Sequence, residues 1–333
     1  MIVLLVLVIV ILRSLTAAAA EGPIRFGVQL APENTTIEEL VSTATVIEKA
    51  GYDSMWLNDH FIPARGNKDA PHFESWTLLA FLAARTERIR LGILVSGNTY
   101  RHPAVLAKMA TTVDYVSHGR LNFGLGAGWE EYEHRAYGIP YYSDRERAER
   151  LGEALAVITK LWGELHPSFS GKYYQLVDAN FEPKPLQKPR PPIVVGGKGK
   201  KWIMPLVARY ADHWNVPPGV TPKGIRNRLQ IIREECTRLG RSPCVTEVSV
   251  FLPLQNITNI PLAGAATRLG ARLLVDKNIS RSVLAGSPDE IAAMIREYVD
   301  AGATSVIITT RPSINHDLMR RFAAEVIPKF AKP

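Results

Sequence analysis

The sequence predicts an α/β fold, and within that class a closed (β/α)8 barrel of the TIM-like kind. Three observations carry this expectation. From residue 24 onward, short apolar runs alternate with helical patterns, and such alternation argues a parallel sheet. About eight strand-then-helix units follow one another, which favours a closed barrel over an open doubly wound sheet, the alternative. The chain has 333 residues, 46% of them hydrophobic and 22% charged, the balance of a globular protein with a full core.

Residues 24–30 read as the first strand. Residues 36–50 read as a helix, with Thr36 at the N-cap, Glu38 and Glu39 in the first turn and Gly51 just past the end. The second strand is 54–58 and the helix after it 76–85. A third strand at 91–95 runs into Ser96-Gly97-Asn98-Thr99, and Pro103, suited to a first helical turn, opens a helix over 103–117. Residues 121–125 form the fourth strand, and 144–162 a long helix with Glu/Arg pairs on its outer face. The rhythm then breaks. Residues 169–174 look like a small hairpin, and a proline-rich extended connection over 183–192 carries Lys184, Lys188 and Arg190. This stretch is an insertion between the fourth and fifth strands. The remaining strands are 193–195, 213–216, 246–254 and 305–309; the remaining helices are 201–210, 223–239, 289–301 and 318–330.

Residues 1–22 do not follow this pattern. Residues 2–12 are an unbroken apolar run, too short for a bilayer span of about 20 residues. With the alanines at 17–20 the run resembles a signal-peptide core and cleavage site, yet no Lys or Arg precedes it and twin arginines are absent. A signal-like leader and a non-native upstream start are both open, and residues 23–333 are expected to form a single domain. The cytoplasm is the expected location; export or membrane association is the alternative if the leader is genuine. A net charge of +8 points to an anionic small molecule. Nucleic acid is not expected, because no zinc-finger or helix-turn-helix signature is present. Cys236 and Cys244 read as two structural or surface thiols, and no metal site is expected.

In a barrel the chemistry lies at the C-terminal ends of the strands. The second strand ends in Asp59-His60, a carboxylate beside an imidazole, suited to proton transfer. The third ends in Ser96-Gly97-Asn98-Thr99, with a glycine that tolerates close approach and polar groups for a flat ligand. The fourth ends in a glycine-rich stretch with Gly126 and Gly128, read as backbone that something flat approaches; its spacing is a poor dinucleotide fingerprint. The acidic cluster Glu130, Glu131 and Glu133 with His134 lacks metal-binding spacing and reads as a solvated helix face. The fifth ends in Gly196-Gly197-Lys198-Gly199-Lys200-Lys201 and runs into a helix, an arrangement that favours an anion such as phosphate, and Lys184, Lys188 and Arg190 are expected to extend the positive ground. Together these ends describe a cup for a phosphorylated tricyclic cofactor.

These residues resemble the bacterial luciferase-like superfamily, and within it the F420-dependent oxidoreductases. The likeness runs from residue 24 to about 310 and rests on Phe26-Gly27-Val28-Gln29, residues 57–61, 96–103, 119–129, Gly196-Gly197-Lys198-Gly199 and 208–212. The resemblance implies a TIM-like barrel with an insertion near the hairpin. It also implies a non-prolyl cis peptide behind the cofactor ring, at Ser96-Gly97 or Gly97-Asn98. It assigns Asp59 to the cofactor ring and His60 to acid–base work. Cofactor contacts are expected at Asp59, Ser96, Gly97, Asn98, Thr99, Gly126, Gly128, Gly196, Gly197, Lys198 and Gly199. Some sugar-phosphate dehydrogenases of the family carry a glutamate general acid where this chain has Trp129, which argues against that substrate. Tyr100, Trp129 and His213 are candidates for substrate contact. The expected function is hydride transfer between coenzyme F420 and a small organic substrate. Alternatives are an FMN-dependent monooxygenase and a non-catalytic F420- or flavin-binding protein; a sugar-phosphate isomerase is more distant. A separate F420 or flavin reductase would supply reduced cofactor, and a homodimer is common in similar proteins.

Overall fold

Strands buried on both faces need helices outside and side chains within, and the apolar runs of this chain supply both. The computed structural model describes residues 22–64, 66–258, 283–309 and 314–331. Its barrel strands are β1 (Arg25–Leu30), β2 (Ser54–Leu57), β3 (Arg90–Ile93), β4 (Leu121–Gly126), β5 (Ile193–Gly196), β6 (His213–Val216), β7 (Glu247–Ile257) and β8 (Ser305–Thr309). Each pairs in parallel with the next, and β8 closes on β1 with Arg25 opposite Ser305 and Gln29 opposite Thr309. The strands expected from the sequence are the strands that close the barrel.

The helices are α1 (Ile37–Lys49), α2 (Ser75–Ala83), α3 (Pro103–Val116), α4 (Glu131–Ala136), α5 (Asp144–Gly163), α6 (Ile203–Tyr210), α7 (Pro222–Arg238), α8 (Pro288–Val299) and α9 (His316–Glu325). Thr36 caps α1 by accepting from the Glu39 amide, and Leu40, Ala44 and Ile47 form the buried stripe that holds the helix to the sheet. Inside the barrel, Trp56, Leu94, Val194 and Ile307 pack as one buried cluster, with Val95 and Phe251 against it. The expected insertion is present: the strands Phe169–Ser170 and Gln175–Leu176 pair as an antiparallel hairpin after α5.

Some local expectations change. The last helix stops at Glu325, and a 3-10 turn over Ile327–Phe330 follows, because Pro328 lacks the N–H that an α-helix needs there. β7 runs on to Ile257 and pairs with a short strand, Leu284–Gly286, that the sequence pattern did not reveal. Cys236 and Cys244 are not free thiols; a disulfide joins them across the end of α7. Lys184 donates to the carbonyls of Leu161 (2.9 Å) and Glu164 (2.6 Å) at the end of α5. Lys188 donates to Pro185 and Arg190 pairs with Asp212. Lys188 and Arg190 stand where the chain enters β5, at the opposite end of the barrel from the strand C-termini, so they add no charge beside residues 196–201. Among the described residues no helix is long and apolar enough to cross a membrane. The leader, apart from Gly22, lies outside the described residues.

The N-terminal end of the barrel is held by Arg120, which is buried just before β4. Its guanidinium donates to Ser117 O (2.7 Å), Thr86 Oγ1 (3.0 Å), Ile89 O (2.8 Å), Ala83 O (2.8 Å) and Thr86 O (2.7 Å). All the donors of the fork are used, and the carbonyls at the end of α2 are satisfied by it. Arg120→Lys keeps the charge but cannot reproduce the fork. We expect it to lower stability by roughly 2–4 kcal/mol, since each stranded buried carbonyl costs about 1–3 kcal/mol. Urea unfolding with an unchanged slope is the measurement; a shift under 0.5 kcal/mol (the usual surface-substitution range, roughly) would remove Arg120 from this role.

Candidate active site at the strand C-termini

β2 ends at Leu57, and the next residues carry two of the expected site groups. Asp59 is buried. Its Oδ2 accepts from the Gly97 amide (2.9 Å) and from Arg101 Nη1 (2.7 Å), while Oδ1 accepts from Arg101 Nη2 (3.0 Å). Arg101 reaches on to Glu74 (2.6 Å), whose carboxylate caps α2 through the Trp76 and Thr77 amides. Burial pushes the Asp59 carboxyl above its ordinary value, and the Arg101 guanidinium opposes that. A carboxylate with three protein donors is a brace between the ends of β2 and β3 and the start of α2.

His60 is also buried, and its partner is one the sequence reading set aside. Nδ1 faces Glu133 Oε2 at 2.9 Å. The Tyr100 hydroxyl and the amides of Phe61 and Ile62 donate to the same carboxylate, the last at 3.2 Å. Burial alone would push Glu133 up; the hydrogen bonds from His60, Tyr100 and Phe61 outweigh it and hold the carboxyl down at about 2. Burial and the nearby Glu133 push the Tyr100 hydroxyl far up, so it remains a donor. An ionised carboxylate only accepts, so the proton of neutral His60 sits on Nδ1 and the lone pair on Nε2. Among the described residues Nε2 has no hydrogen-bond partner.

The acidic cluster is therefore not the solvated face expected. Glu131 is exposed and Glu130 half-buried, but Glu133 and His134 are fully buried. α4 has only six residues, too few for a periodic pattern to reveal its inward side. His134 Nδ1 donates to the Glu130 carbonyl and its Nε2 accepts from Thr99 Oγ1, both at 2.7 Å. Thr99 is thereby engaged with the protein.

The end of β3 is irregular, as expected, but one step earlier. The non-prolyl cis peptide joins Leu94 to Val95, not Ser96 to Gly97 or Gly97 to Asn98. Gln29 Nε2 donates to the Leu94 carbonyl at 2.8 Å. The Val95 side chain lies where side chains at Gly126 and Gly196 would stand: a Cβ there would meet Val95 Cγ2 at 2.7 and 2.8 Å. These glycines make room for Val95, which is half-buried at the barrel mouth. Gly128 has φ +81°, and a Cβ there would meet Thr99 Oγ1 at 2.6 Å. Ser96 is fully buried and accepts from Trp76 Nε1 at 3.0 Å, so its hydroxyl faces the wall. Asn98 is buried too. Its Nδ2 donates to the Tyr174 hydroxyl of the hairpin at 3.3 Å, and among the described residues its Oδ1 has no hydrogen-bond partner.

On the β5 side, Gly197 is held by Trp214 Nε1 on its carbonyl (2.9 Å), and the Gly199 carbonyl accepts from the first amides of α6, Ile203 (2.9 Å) and Met204 (3.1 Å). The amides from Lys198 to Trp202 have no protein acceptor among the described residues. Lys198, Lys200 and Lys201 are exposed around them. Arg228 of α7 joins the loop by donating to the Lys198 carbonyl at 2.8 Å; it is 30 residues away in sequence, which hid it. His213 is not at the mouth. It begins β6, faces Ser249 at 2.6 Å and is fully enclosed, and burial pushes its imidazole down. Trp129 is at the mouth, exposed, with its ring edge-on to His60 at 5.6 Å.

The model of the luciferase-like monooxygenase family matches residues 22–259. The chain is 29% identical to the F420-dependent glucose-6-phosphate dehydrogenase of Kineococcus radiotolerans, over 92% of this chain and 97% of that one. Among solved structures, an F420-dependent secondary alcohol dehydrogenase in complex with an F420-acetone adduct has a TM-score of 0.81 at 21% identity, covering 93% of this chain and 100% of the other. A monooxygenase from Streptomyces bottropensis has a TM-score of 0.75 at 21% identity, covering 92% and 100%. At these identities the two structures show a shared fold.

Two outcomes follow from the geometry. Gly126→Ala is expected to cost about 1–3 kcal/mol by overpacking against Val95, and Val95→Ala in the same chain to recover most of it. Additive losses in the double-mutant cycle would mean that Val95 is not what the glycine accommodates. Glu133 sits below the ordinary value of 4.5, at about 2. A depressed carboxyl stabilises the fold fully above its unfolded value and loses that contribution as pH falls toward its folded value. Glu133→Gln should therefore flatten the stability curve between about pH 4.5 and pH 2; an unchanged acid limb would contradict the hydrogen-bonded carboxylate.

Proposed function

The chain belongs to the luciferase-like monooxygenase family, and we propose that within it this protein is a coenzyme F420-dependent oxidoreductase acting on a small organic alcohol or carbonyl compound. One observation carries the reading: His60 is fixed at the barrel mouth by the buried Glu133 carboxylate, with Nε2 left bare. Likeness over nearly the full length to F420-dependent relatives supports the choice of cofactor.

The residues present fit that cofactor. The partnerless Asn98 Oδ1 calls for a donor, and a deazaflavin carries an N–H on its pyrimidine edge. Val95, Gly126 and Gly196 make an apolar wall without projecting polar groups. The free amides from Lys198 to Trp202 at the start of α6, with Lys198, Lys200 and Lys201 beside them, suit a phosphate. When bound, the coenzyme supplies a hydride acceptor or donor at its C5. Asp59 would act by holding the Gly97 amide and Arg101 in place.

His60 Nε2 takes the hydroxyl proton when an alcohol is oxidised and returns it when a carbonyl is reduced. The Glu133 carboxylate keeps the ring in the tautomer that exposes this lone pair, and its negative charge faces the ring whose charge changes as the proton moves. The buried surroundings of His60 limit competing exchange with water.

The decisive experiment is a calorimetric titration with coenzyme F420 and FMN in parallel, on wild type, Lys198→Ala and His60→Ala. We expect micromolar F420 binding, much weaker FMN binding, and weakening of F420 in Lys198→Ala. His60→Ala should bind F420 within a few-fold of wild type while turnover falls by roughly 10²–10⁴. Preferential FMN binding would replace this reading with the flavin-dependent monooxygenase. Tight F420 binding with no turnover on alcohols or ketones would leave a cofactor-binding protein.

A further inference from the structure

Of the six tryptophans, four are buried with the indole N–H donating inside the protein: Trp56 to Ser54, Trp76 to Ser96, Trp162 to Thr111 and Trp214 to Gly197. Trp129 departs from that pattern. It is 57% exposed, and its indole N–H has no protein acceptor among the described residues. Its backbone is nevertheless fixed. The Tyr141 hydroxyl donates to the Trp129 carbonyl at 3.1 Å. On one side Gly128 turns the chain with φ +81°; on the other, the Glu130 carbonyl accepts from His134 Nδ1 at 2.7 Å. A large ring held ready at the surface, beside a buried imidazole, suits a contact that the chain itself does not supply.

The polar side chains around His60 are, by contrast, engaged with one another. Tyr100 donates to Glu133, Thr99 to His134 and Arg101 to Asp59. His72, in the loop between β2 and α2, lies 6.5 Å from His60 between ring centroids; its Nδ1 donates to the Phe73 carbonyl at 3.0 Å and its Nε2 is enclosed. The Trp129 ring stands 5.6 Å from His60 between centroids, with the planes at 83°. A substrate oxygen sits about 3 Å from the base that takes its proton. The carbon skeleton attached to that oxygen is then within reach of the exposed indole, and what it meets there is hydrocarbon. Next to the indole, Glu130 is half-buried, and its carboxylate has no partner among the described residues. A negative charge in that place opposes an anionic substrate.

We propose that Trp129 is a specificity-determining residue: its indole packs against the hydrocarbon part of the substrate while the reacting oxygen meets His60 Nε2. The substrate class is then an uncharged alcohol or ketone bearing a ring or a branched hydrocarbon group, rather than a polyhydroxylated or phosphorylated compound. The inference deepens the proposed function and rests on His60 as the acid–base residue.

The test uses the full chain, labelled with nitrogen-15, in the presence of coenzyme F420, and reads the indole N–H signals by NMR. Propan-2-ol, cyclohexanol and glucose 6-phosphate are the probes; the variants are Trp129→Ala, which removes the ring, and Trp129→Phe, which keeps one. The Trp129 signal is identified by its loss in both variants. It should move when cyclohexanol is added, and much less with propan-2-ol or glucose 6-phosphate. In turnover, the preference in kcat/KM for cyclohexanol over propan-2-ol should fall about tenfold in Trp129→Ala, through KM, and be largely restored in Trp129→Phe. The melting temperature of both variants should stay with wild type, because an exposed ring contributes little to the core. Turnover of cyclohexanol with a Trp129 signal that ignores it, or an unchanged preference in Trp129→Ala, overturns this proposal alone. So does preferred turnover of glucose 6-phosphate. A signal that moves with coenzyme F420 and then ignores the alcohols, with F420 affinity lost in Trp129→Ala, makes the ring part of the cofactor site and overturns the proposal. A marked loss of melting temperature in both variants makes it structural, with the same consequence. No turnover of any probe overturns the proposal together with the alcohol-oxidising reading.

Discussion

Two buried carboxylates, Asp59 and Glu133, govern the open end of this barrel. An ionised group removed from water must find its hydrogen bonds in the protein, and each loses several kcal/mol if it does not (about 3–5 when a buried pair is broken). Asp59 finds them in Arg101 and the Gly97 amide, and in doing so draws together the ends of β2 and β3 and the cap of α2. Glu133 finds them in His60, Tyr100 and the amides of Phe61 and Ile62. Neighbouring residues, Asp59 and His60, are thereby tied to opposite partners, so the chain leaving β2 has little freedom. The position of the imidazole is a consequence of how two charges are satisfied.

The far side of the mouth obeys a different constraint, volume. Val95 enters a space that Gly126 and Gly196 leave vacant, while the Leu94 carbonyl before it is taken by Gln29. No charge is involved, and the surface that results is apolar and smooth. A ligand held between the two sides would meet polar groups at Asn98 and His60, amides beyond Gly197, and hydrocarbon at Val95. Polarity is thus graded across the mouth by the alternation of charge satisfaction and close packing.

The sequence carried the barrel well because strand and helix periods differ and both repeat: eight apolar runs with helices between them leave few other topologies. It also singled out the strand ends that meet at the barrel mouth, through Asp59-His60, the stretch from Ser96 to Thr99 and the glycine-lysine run from Gly196. What it could not carry were partnerships across the chain. Glu133 is 73 residues from His60 and sits on a six-residue helix, so nothing local distinguishes it from Glu130 or Glu131. The glycines of β4 and β5 were legible as places of close approach, but the approaching group, Val95, is set by tertiary packing. Lys184, Lys188 and Arg190 looked like part of the expected anion site because they precede it in sequence. A strand separates Lys188 and Arg190 from it, and a strand carries the chain to the other end of the barrel. The disulfide escaped because two cysteines alone do not announce a pair.

Three of the histidines near the mouth show how one residue type acquires different work from the partner of Nδ1. His134 donates from Nδ1 to a carbonyl and accepts at Nε2 from Thr99, so both nitrogens are spent on the fold. His72 makes the same kind of Nδ1 bond to a carbonyl but leaves Nε2 bare, with burial holding it neutral. His60 alone gives Nδ1 to a carboxylate. A carbonyl fixes a tautomer and offers only a dipole; a carboxylate fixes the same tautomer and adds a full negative charge beside the ring. Among these three, only His60 combines a free lone pair with a neighbouring anion, and a group that must both take up and release a proton requires the two together. The division of labour among the imidazoles is therefore written in their acceptors.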